Sequence, residues 1–319
     1  MGSVLAKWWR LNLAIRLLSG SVAILIVCEI VLRLLGFGHP ILYRATSAGY
    51  EIAANQQATR LFKTSTYNAQ GLRGGPITPT PAPGTLRILS LGDSVANGGV
   101  LVNDNQTYEA QLQAKWISAG RKVEVLNASA GGWSSINEAL WLREHGLYNS
   151  QLVMMEVDNG DVEQPFADGT ILDKSTSFPS RYPKSAIVEL LTRYIAPRLG
   201  LIDNSDPGST SAGESAANTD KALAAVQDVF DYSQAHGARM VILYWSDLLP
   251  VIPSEIVGRD RLFAWANQHQ IQVINLAAVL KAQPNPRQLL RDSGHPNAAG
   301  NLFIADYVAT HVRFDDPQP

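Results

Sequence analysis

The feature that most constrains this chain is an alternation that begins near residue 85. Five short apolar runs, "LRILSL", "VEVLNAS", "LVMMEV", "RMVILYW" and "IQVINLA", follow one another along the sequence. Helical patterns separate them. These cover Asn105 to Ala119, Ser134 to His145, a stretch that sets Leu223, Val226 and Phe230 on one side, and residues 254–269. A final helix after Asn297 turns Leu302, Ala305 and Val308 toward a core. Strands that are apolar on both faces need helices on both faces, and that arrangement is a parallel sheet. The pattern therefore predicts an α/β fold, a three-layer α/β/α sandwich around a five-stranded parallel sheet. Ligands on such sheets bind beyond the carboxyl ends of the strands.

The N-terminus sets a second constraint. Lys7, Arg10 and Arg16 precede an uncharged run from Leu17 to Cys28, and apolar residues continue to Phe37, broken only by Glu29 and Arg33. A membrane span needs about 20 mostly apolar residues. Residues 17–37 reach that length if Glu29 and Arg33, one helical turn apart, pair or snorkel. Trp8 and Trp9 suit the membrane interface, and the basic flank places the N-terminus in the cytoplasm. A cleaved signal would need a small-x-small site after the run, which "VLRLLGFG" lacks. A lipoprotein signal would need a small residue before Cys28, where Val27 stands. The expectation is an uncleaved, single-pass transmembrane helix within residues 1–37, with the rest of the chain outside the cytoplasm.

Residues 38–84 contain "PITPTPAPGT" and read as an extended Pro-rich linker, leaving residues 85–319 as the main folded domain. The small, polar insert at 203–219 reads as a surface loop, with the following helix capped near Asn218 or Thr219. With 319 residues, 46% of them hydrophobic, the chain is large enough for one substantial core. A net charge of −2 without a basic stripe argues against nucleic acid as a partner. Cys28 is the single cysteine, so no intrachain disulfide forms.

Two polar stretches carry possible chemistry. In "ILSLGDSVANGG" the first strand stops at Gly92-Asp93-Ser94, a tight corner that exposes the Ser94 hydroxyl above the sheet edge. Asp and Ser also simply cap turns, and this tripeptide alone does not decide between the two roles. In "RDSGHPNAAG", Asp292 and His295 stand three apart. A serine nucleophile needs a base, and the base needs a carboxylate on its other ring nitrogen; Asp292 and His295 can form that pair within one loop. The other histidines (39, 145, 236, 269 and 311) are scattered without metal-ligand spacing. "GLRGG" around Arg73 lacks the ending of a phosphate loop and reads as a structural packing element.

At this point the sequence resembles the SGNH hydrolases, the GDSL-type esterases and lipases, over about residues 85–312. The first block of that family is similar to Gly92-Asp93-Ser94, and the last resembles Asp292 to His295. The resemblance implies a flavodoxin-like fold, no cofactor and no metal, and a triad of Ser94, His295 and Asp292. It also implies an oxyanion hole from the Ser94 and Gly132 N–H groups and the Asn159 amide. The Asn159 block departs from the family pattern, which has Asn directly followed by Asp; here Gly160 intervenes before Asp161. Either Asn159 supplies the amide, or Gly160-Asp161 fills the slot and the donor is missing; the first is expected here. Relatives with an N-terminal anchor, a Pro-rich linker and "GLRG" belong to bacterial envelope or exopolysaccharide systems. The implied activity is removal or transfer of short acyl groups, chiefly O-acetyl, on an acylated carbohydrate, with polysaccharide-synthesis proteins as partners. The competing readings are a lipase or lysophospholipase at the bilayer, and a membrane-tethered assembly protein with little turnover.

Overall fold

The computed structural model describes residues 2–201, 215–246, 248–249 and 253–313, with residues 2–14 and 215 described by backbone alone. The chain begins with one long helix, α1 (Gly2–Leu34). Its segment Ile15–Leu34 has a mean hydropathy of 2.2 and is the one helix among the described residues long and apolar enough to cross a membrane.

Two antiparallel hairpins follow. β1 (Tyr43–Thr46) pairs with β2 (Gly49–Ile52), and β3 (Gln56–Arg60) pairs with β4 (Lys63–Tyr67). This corrects the expectation of an extended linker over 38–84. Tyr50, Ile52, Ala58, Tyr67 and Leu72 are buried in the same core as the sheet. The Pro-rich segment is also tied down: the buried Arg87 guanidinium donates to the carbonyls of Thr78 (2.9 Å) and Tyr148 (2.7 Å). The globular unit therefore begins well before residue 85.

The alternation seen in the sequence then unfolds as β5 (Leu86–Gly92), α2 (Ser94–Asn97), α3 (Tyr108–Ser118), β6 (Val123–Ser129), α4 (Ser135–His145) and β7 (Leu152–Val157). A helical stretch comes next, α5 (Ala186–Glu189), continuing through one π-helical segment into α6 (Ala196–Arg198). The chain closes with α7 (Ser215–Ala235), β8 (Arg239–Tyr244), α8 (Pro253–Gln268), β9 (Gln272–Asn275), α9 (Leu276–Lys281) and α10 (Ala298–His311). The five strands β5–β9 form a parallel sheet in the order β6-β5-β7-β8-β9. That is the flavodoxin-like order, in which the chain reverses direction beside the first strand.

Period-two packing explains the continuous apolar runs. Leu89 and Leu91 of β5, Val153 and Met155 of β7, and Met240 and Ile242 of β8 face one core, with α4 and α7. Ile88, Leu152, Met154, Val241 and Leu243 face the other, with α3, α9 and α10. Both faces exclude water, so neither can be polar. Two boundaries differ from expectation. The last strand ends at Asn275, whose side chain accepts from the Ala278 N–H (3.0 Å) and starts α9. α7 starts at Ser215, so Asn218 and Thr219 lie inside it and are buried rather than capping. Ala216 and Ala217 are strong helix formers and extend the helix backward; residues 203–214 of the expected loop lie outside the described residues.

If the hairpins are core rather than linker, Ile52→Ala should lower unfolding free energy by about 3 kcal/mol. Chemical denaturation of the full chain measures this; a change within error would return the region to linker status.

Candidate active site

Gly92 closes β5 where space rather than dihedral freedom decides. A Cβ there would sit 2.6 Å from the Ala96 Cβ and 3.1 Å from the Glu156 Cβ. Asp93 then caps α2, its Oδ1 accepting from the Val95 N–H (2.7 Å). Ser94 becomes the first residue of a one-turn helix that Gly98 ends in the left-handed region (φ 69°). The hydroxyl is thereby fixed above the carboxyl end of the sheet.

The Asp292–His295 loop is shaped by its own aspartate. Asp292 Oδ1 accepts from the N–H groups of Gly294 (3.1 Å) and His295 (2.8 Å), and lies 2.8 Å from His295 Nδ1. Spacing of three is what allows one carboxylate oxygen to take both the backbone and the ring of the same histidine. The Arg291 N–H donates to the His295 carbonyl (2.8 Å), and the Trp245 indole donates to the Gly294 carbonyl (2.8 Å), which pins the loop to the end of β8. With Nδ1–H donated to Asp292, His295 Nε2 is left to accept, and it lies 2.9 Å from Ser94 Oγ. Two segments 201 positions apart thus meet in one hydrogen-bonded relay.

Charge around the relay is uneven. Burial opposes ionisation of Asp292, yet hydrogen bonds from the His295 ring and from the two backbone N–H groups prevail. They hold the carboxyl well below the usual carboxylate range. Burial likewise disfavours a charged His295, but the hydrogen bond and negative charge of Asp292, aided by Asp93, raise its pKa above the ordinary value. The Ser94 hydroxyl also lies 3.0 Å from Asp93 Oδ2. It donates there when His295 is protonated and to His295 when the imidazole is neutral.

Gly131 borders Ser94: a Cβ built on Gly131 would lie 3.9 Å from the Ser94 Cβ. The Tyr50 hydroxyl donates to the Gly131 carbonyl (2.9 Å), and Gln164 Nε2 donates to the Gly132 carbonyl (2.9 Å). In a trans peptide the C=O and N–H of one plane point opposite ways. Tyr50 therefore fixes the direction of the Gly132 N–H, and Gly132 itself sits at φ 72°. Among the described residues, the N–H groups of Ser94 and Gly132 donate to no protein acceptor. Asn159 lies in the turn after β7, which Asp158 and Asp161 tie by bonds from the Asp161 N–H to Asp158 Oδ1 (2.9 Å) and the Asp158 N–H to Asp161 Oδ2 (2.9 Å). Asp161 is thus used inside the turn, whereas the buried Asn159 amide makes no hydrogen bond among the described residues. Ser94, at the start of α2, and the other four expected residues, on loops or turns, all lie at the carboxyl end of the sheet.

Sequence reasoning missed several supports. Arg73, expected as a packing element, is that and more. Its side chain donates to the carbonyls of Asn97, Gly99 (2.9 Å) and Val102, binding together the loop that leaves α2. Its N–H donates to Asn127 of β6 (2.9 Å). Behind Ser94, Glu138 and Glu156 are fully buried, and no hydrogen-bond partner meets either carboxyl. Burial, then the charges of Asp93 and Asp158 among others, raises both well above the usual carboxylate range. Each acid kept neutral is one less negative charge behind a developing oxyanion. No group of three or more His, Cys, Asp or Glu among the described residues is arranged to hold a metal ion.

A groove of about 1300 Å³ runs beside the relay and is bordered by Asn97, Gly99 and Arg291 on the site's side. Phe37, Leu61 and Tyr194 line it toward the end of α1.

No protein-family model matches the sequence, and no curated protein matches it. Several solved structures are similar in part. An acetyl-xylooligosaccharide esterase from Geobacillus Stearmophilus, in mutant form, aligns at 13% identity over 75% of this chain and 98% of its own, with a TM-score of 0.47. A psychrotrophic esterase from Pseudoalteromonas sp. aligns at 15% identity over 70% and 94%, with a TM-score of 0.44. A member of the lipolytic protein G-D-S-L family from Veillonella parvula aligns at 13% identity over 71% and 97%, with a TM-score of 0.44.

Arg73→Met should lower stability by about 3 kcal/mol, since it leaves buried carbonyls and Asp104 without their cation. A denaturant midpoint equal to that of the unmodified chain would show that the loop after α2 holds without it.

Proposed function

We propose that the chain is a membrane-anchored serine esterase of the SGNH, or GDSL, type that removes or transfers short acyl groups on a glycan. The observation that carries the reading is the Ser94–His295–Asp292 relay, with contacts of 2.9 and 2.8 Å. His295 Nε2 takes the Ser94 proton as Oγ bonds to the ester carbonyl carbon. The Ser94 and Gly132 N–H groups and the Asn159 amide meet the oxyanion. Collapse breaks the bond to the alcohol, which leaves with the proton from His295. Water, or a sugar hydroxyl, then attacks the acyl-enzyme with His295 again as base. The segment Ile15–Leu34 is read as the inner-membrane anchor, with the enzyme on the periplasmic side. The preferred substrate is an O-acetylated envelope or exopolysaccharide glycan, handled with polysaccharide-synthesis partners. A lipase reading is the second one, favoured by the groove that extends toward α1 past Phe37, Leu61 and Tyr194.

A chromogenic ester series tests this on the full chain. Acetyl esters should be cleaved faster than long-chain esters, and Ser94→Ala should abolish turnover; equal slow rates in both proteins would reduce the chain to a binding module. A preference for long acyl chains would install the lipase reading instead. Asn159→Ala should lower kcat roughly 10²–10³-fold with little change in KM; an unchanged kcat would remove Asn159 from the oxyanion hole.

The pH dependence follows from His295. Its pKa is raised above the ordinary histidine value of 6.5, and only the neutral imidazole accepts the serine proton. kcat/KM should therefore fall as pH drops through a midpoint above 6.5, not below it. Asp292→Asn removes the chief stabiliser of the cation, so that midpoint should move to lower pH while the plateau drops roughly 10⁴-fold. A pH–rate profile whose midpoint stays put in the variant would contradict the assignment.

A further inference from the structure

The tip of the β3–β4 hairpin is built against the usual rules. Leu61 and Phe62 occupy its two turn positions with φ of 48° and 66°. Such turns ordinarily take Asn and Gly, because large L-residues are strained there. Phe62 gains no burial in return, being 82% exposed. The tip touches the end of α1, where the Leu61 N–H donates to the Leu35 carbonyl (3.0 Å).

The stretch 186–201 sits beside the same helix end. Val188, Leu191, Ile195 and Leu199 recur at spacings of three and four, the pattern of one helical face, and all are exposed, Leu199 by 66%. Leu201, just past the helix end, is a further exposed apolar residue at 73%. The cations of this stretch are Arg193 and Arg198, with Lys184 just before it. Its single acid, Glu189, is buried and paired with Arg60 and, at 3.9 Å, with Arg193, which leaves Arg198 and Lys184 as the exposed cations. Glu29 of α1 fixes the level of the stretch. Its carboxylate accepts from the N–H groups of Ala186 (2.9 Å) and Ile187 (3.0 Å) and pairs with Arg33 (2.7 Å). Glu29 lies five residues before the end of α1, about 7 Å along the helix axis. The amphipathic stretch therefore begins alongside the last turns of the apolar helix, not above them.

We propose that Leu61, Phe62 and the apolar residues of 188–201 seat on the bilayer that α1 enters, with Arg198 and Lys184 among anionic lipid headgroups. Apolar residues flanked by cations beside a membrane-entering helix are what an interfacial segment requires. The groove, lined by Leu61, Tyr194, Pro197 and Arg198, then opens at headgroup level. Substrate reaches the relay along the membrane surface. This inference rests on reading α1 as an anchor.

Cys28 is the single cysteine, so Cys28→Ser gives a label-free background. Single cysteines at Ile24, Phe62, Leu199 and the exposed Ser118 on α3 carry a nitroxide on the full chain, reconstituted in phosphatidylglycerol-containing vesicles. Collision with oxygen, which partitions into lipid, is compared with collision with a water-soluble nickel chelate. The expected oxygen-to-nickel ratio at 62 and 199 is several-fold above that at 118, and it falls at 199 in vesicles of phosphatidylcholine alone. Leu201 replaces Leu199 if that variant misfolds. Ratios at 62 and 199 equal to that at 118, with Ile24 in lipid, overturn the proposal. Shielding of 62 and 199 from both reagents also overturns it, by pointing to contact between protein copies. An aqueous Ile24 overturns the anchor reading itself.

Discussion

Burial of the parallel sheet on both faces is the constraint from which the rest of the structure follows. Once Leu89, Met155 and Ile242 fill one core and Ile88, Met154 and Val241 the other, no reactive group can be reached through either face. Polar chemistry is displaced to the loops beyond the strand ends. Gly92-Asp93-Ser94 leaves β5, Gly131-Gly132 follows β6, Asn159 follows β7, and Trp245 leaves β8 to hold the histidine loop. Four consecutive strand ends of one sheet thus supply or brace every part of the candidate site. The last partner, His295, arrives just before α10, and that helix packs against α3, the helix following the Ser94 loop.

The hairpins outside the sheet do for the loops what the core does for the strands. A one-turn helix and two glycine turns have little intrinsic rigidity. Arg73 collects the carbonyls that leave α2, Tyr67 donates to Asn97 Oδ1 (3.0 Å), and Tyr50 holds the Gly131 carbonyl. Each of these side chains is buried, so the bonds are made where water cannot compete. Preorganised donors stabilise a transition state only if they need not move at the moment of reaction. The hairpin region supplies that rigidity.

What was legible in the sequence and what was not divides along the same line. The sheet was legible because its strands are apolar throughout. The Asp292–His295 pair was legible because it is local: three residues suffice for one carboxylate to reach both the ring and the N–H. The hairpins were hidden because their inward positions are not uniformly apolar. β3 and β4 alternate correctly, but the residues turned inward are Ala58, Arg60, Ser65 and Tyr67, which hide the hydrophobic period. Glu29 and Arg33 looked like defects in a membrane span; Glu29 is in fact the cap that docks the helix to the domain. Tyr50 and Arg73 act through backbone carbonyls far away in sequence, and no spacing rule exposes such contacts. The buried Glu138 stands on α4 in "SINEALWLREH", where a glutamate ordinarily faces solvent.

Those buried acids sharpen the electrostatic argument. A carboxyl without a hydrogen-bond partner costs on the order of 1–3 kcal/mol against an apolar replacement of the same shape. Glu138 and Glu156 therefore weaken the fold where they stand. Both sense Asp93, the residue that caps α2 and faces the Ser94 hydroxyl. If all these groups were ionised, several negative charges would lie behind the Ser94 and Gly132 N–H groups, and would oppose any anion those donors met in front. With the inner acids neutral, Asp292 and Asp93 are the negative charges that act on His295, against the opposing charge of Arg291. Both acids favour its cationic form, which is the form His295 takes when the serine proton has moved. The same burial that costs stability thus keeps negative charge away from the space in front of the Ser94 and Gly132 N–H groups.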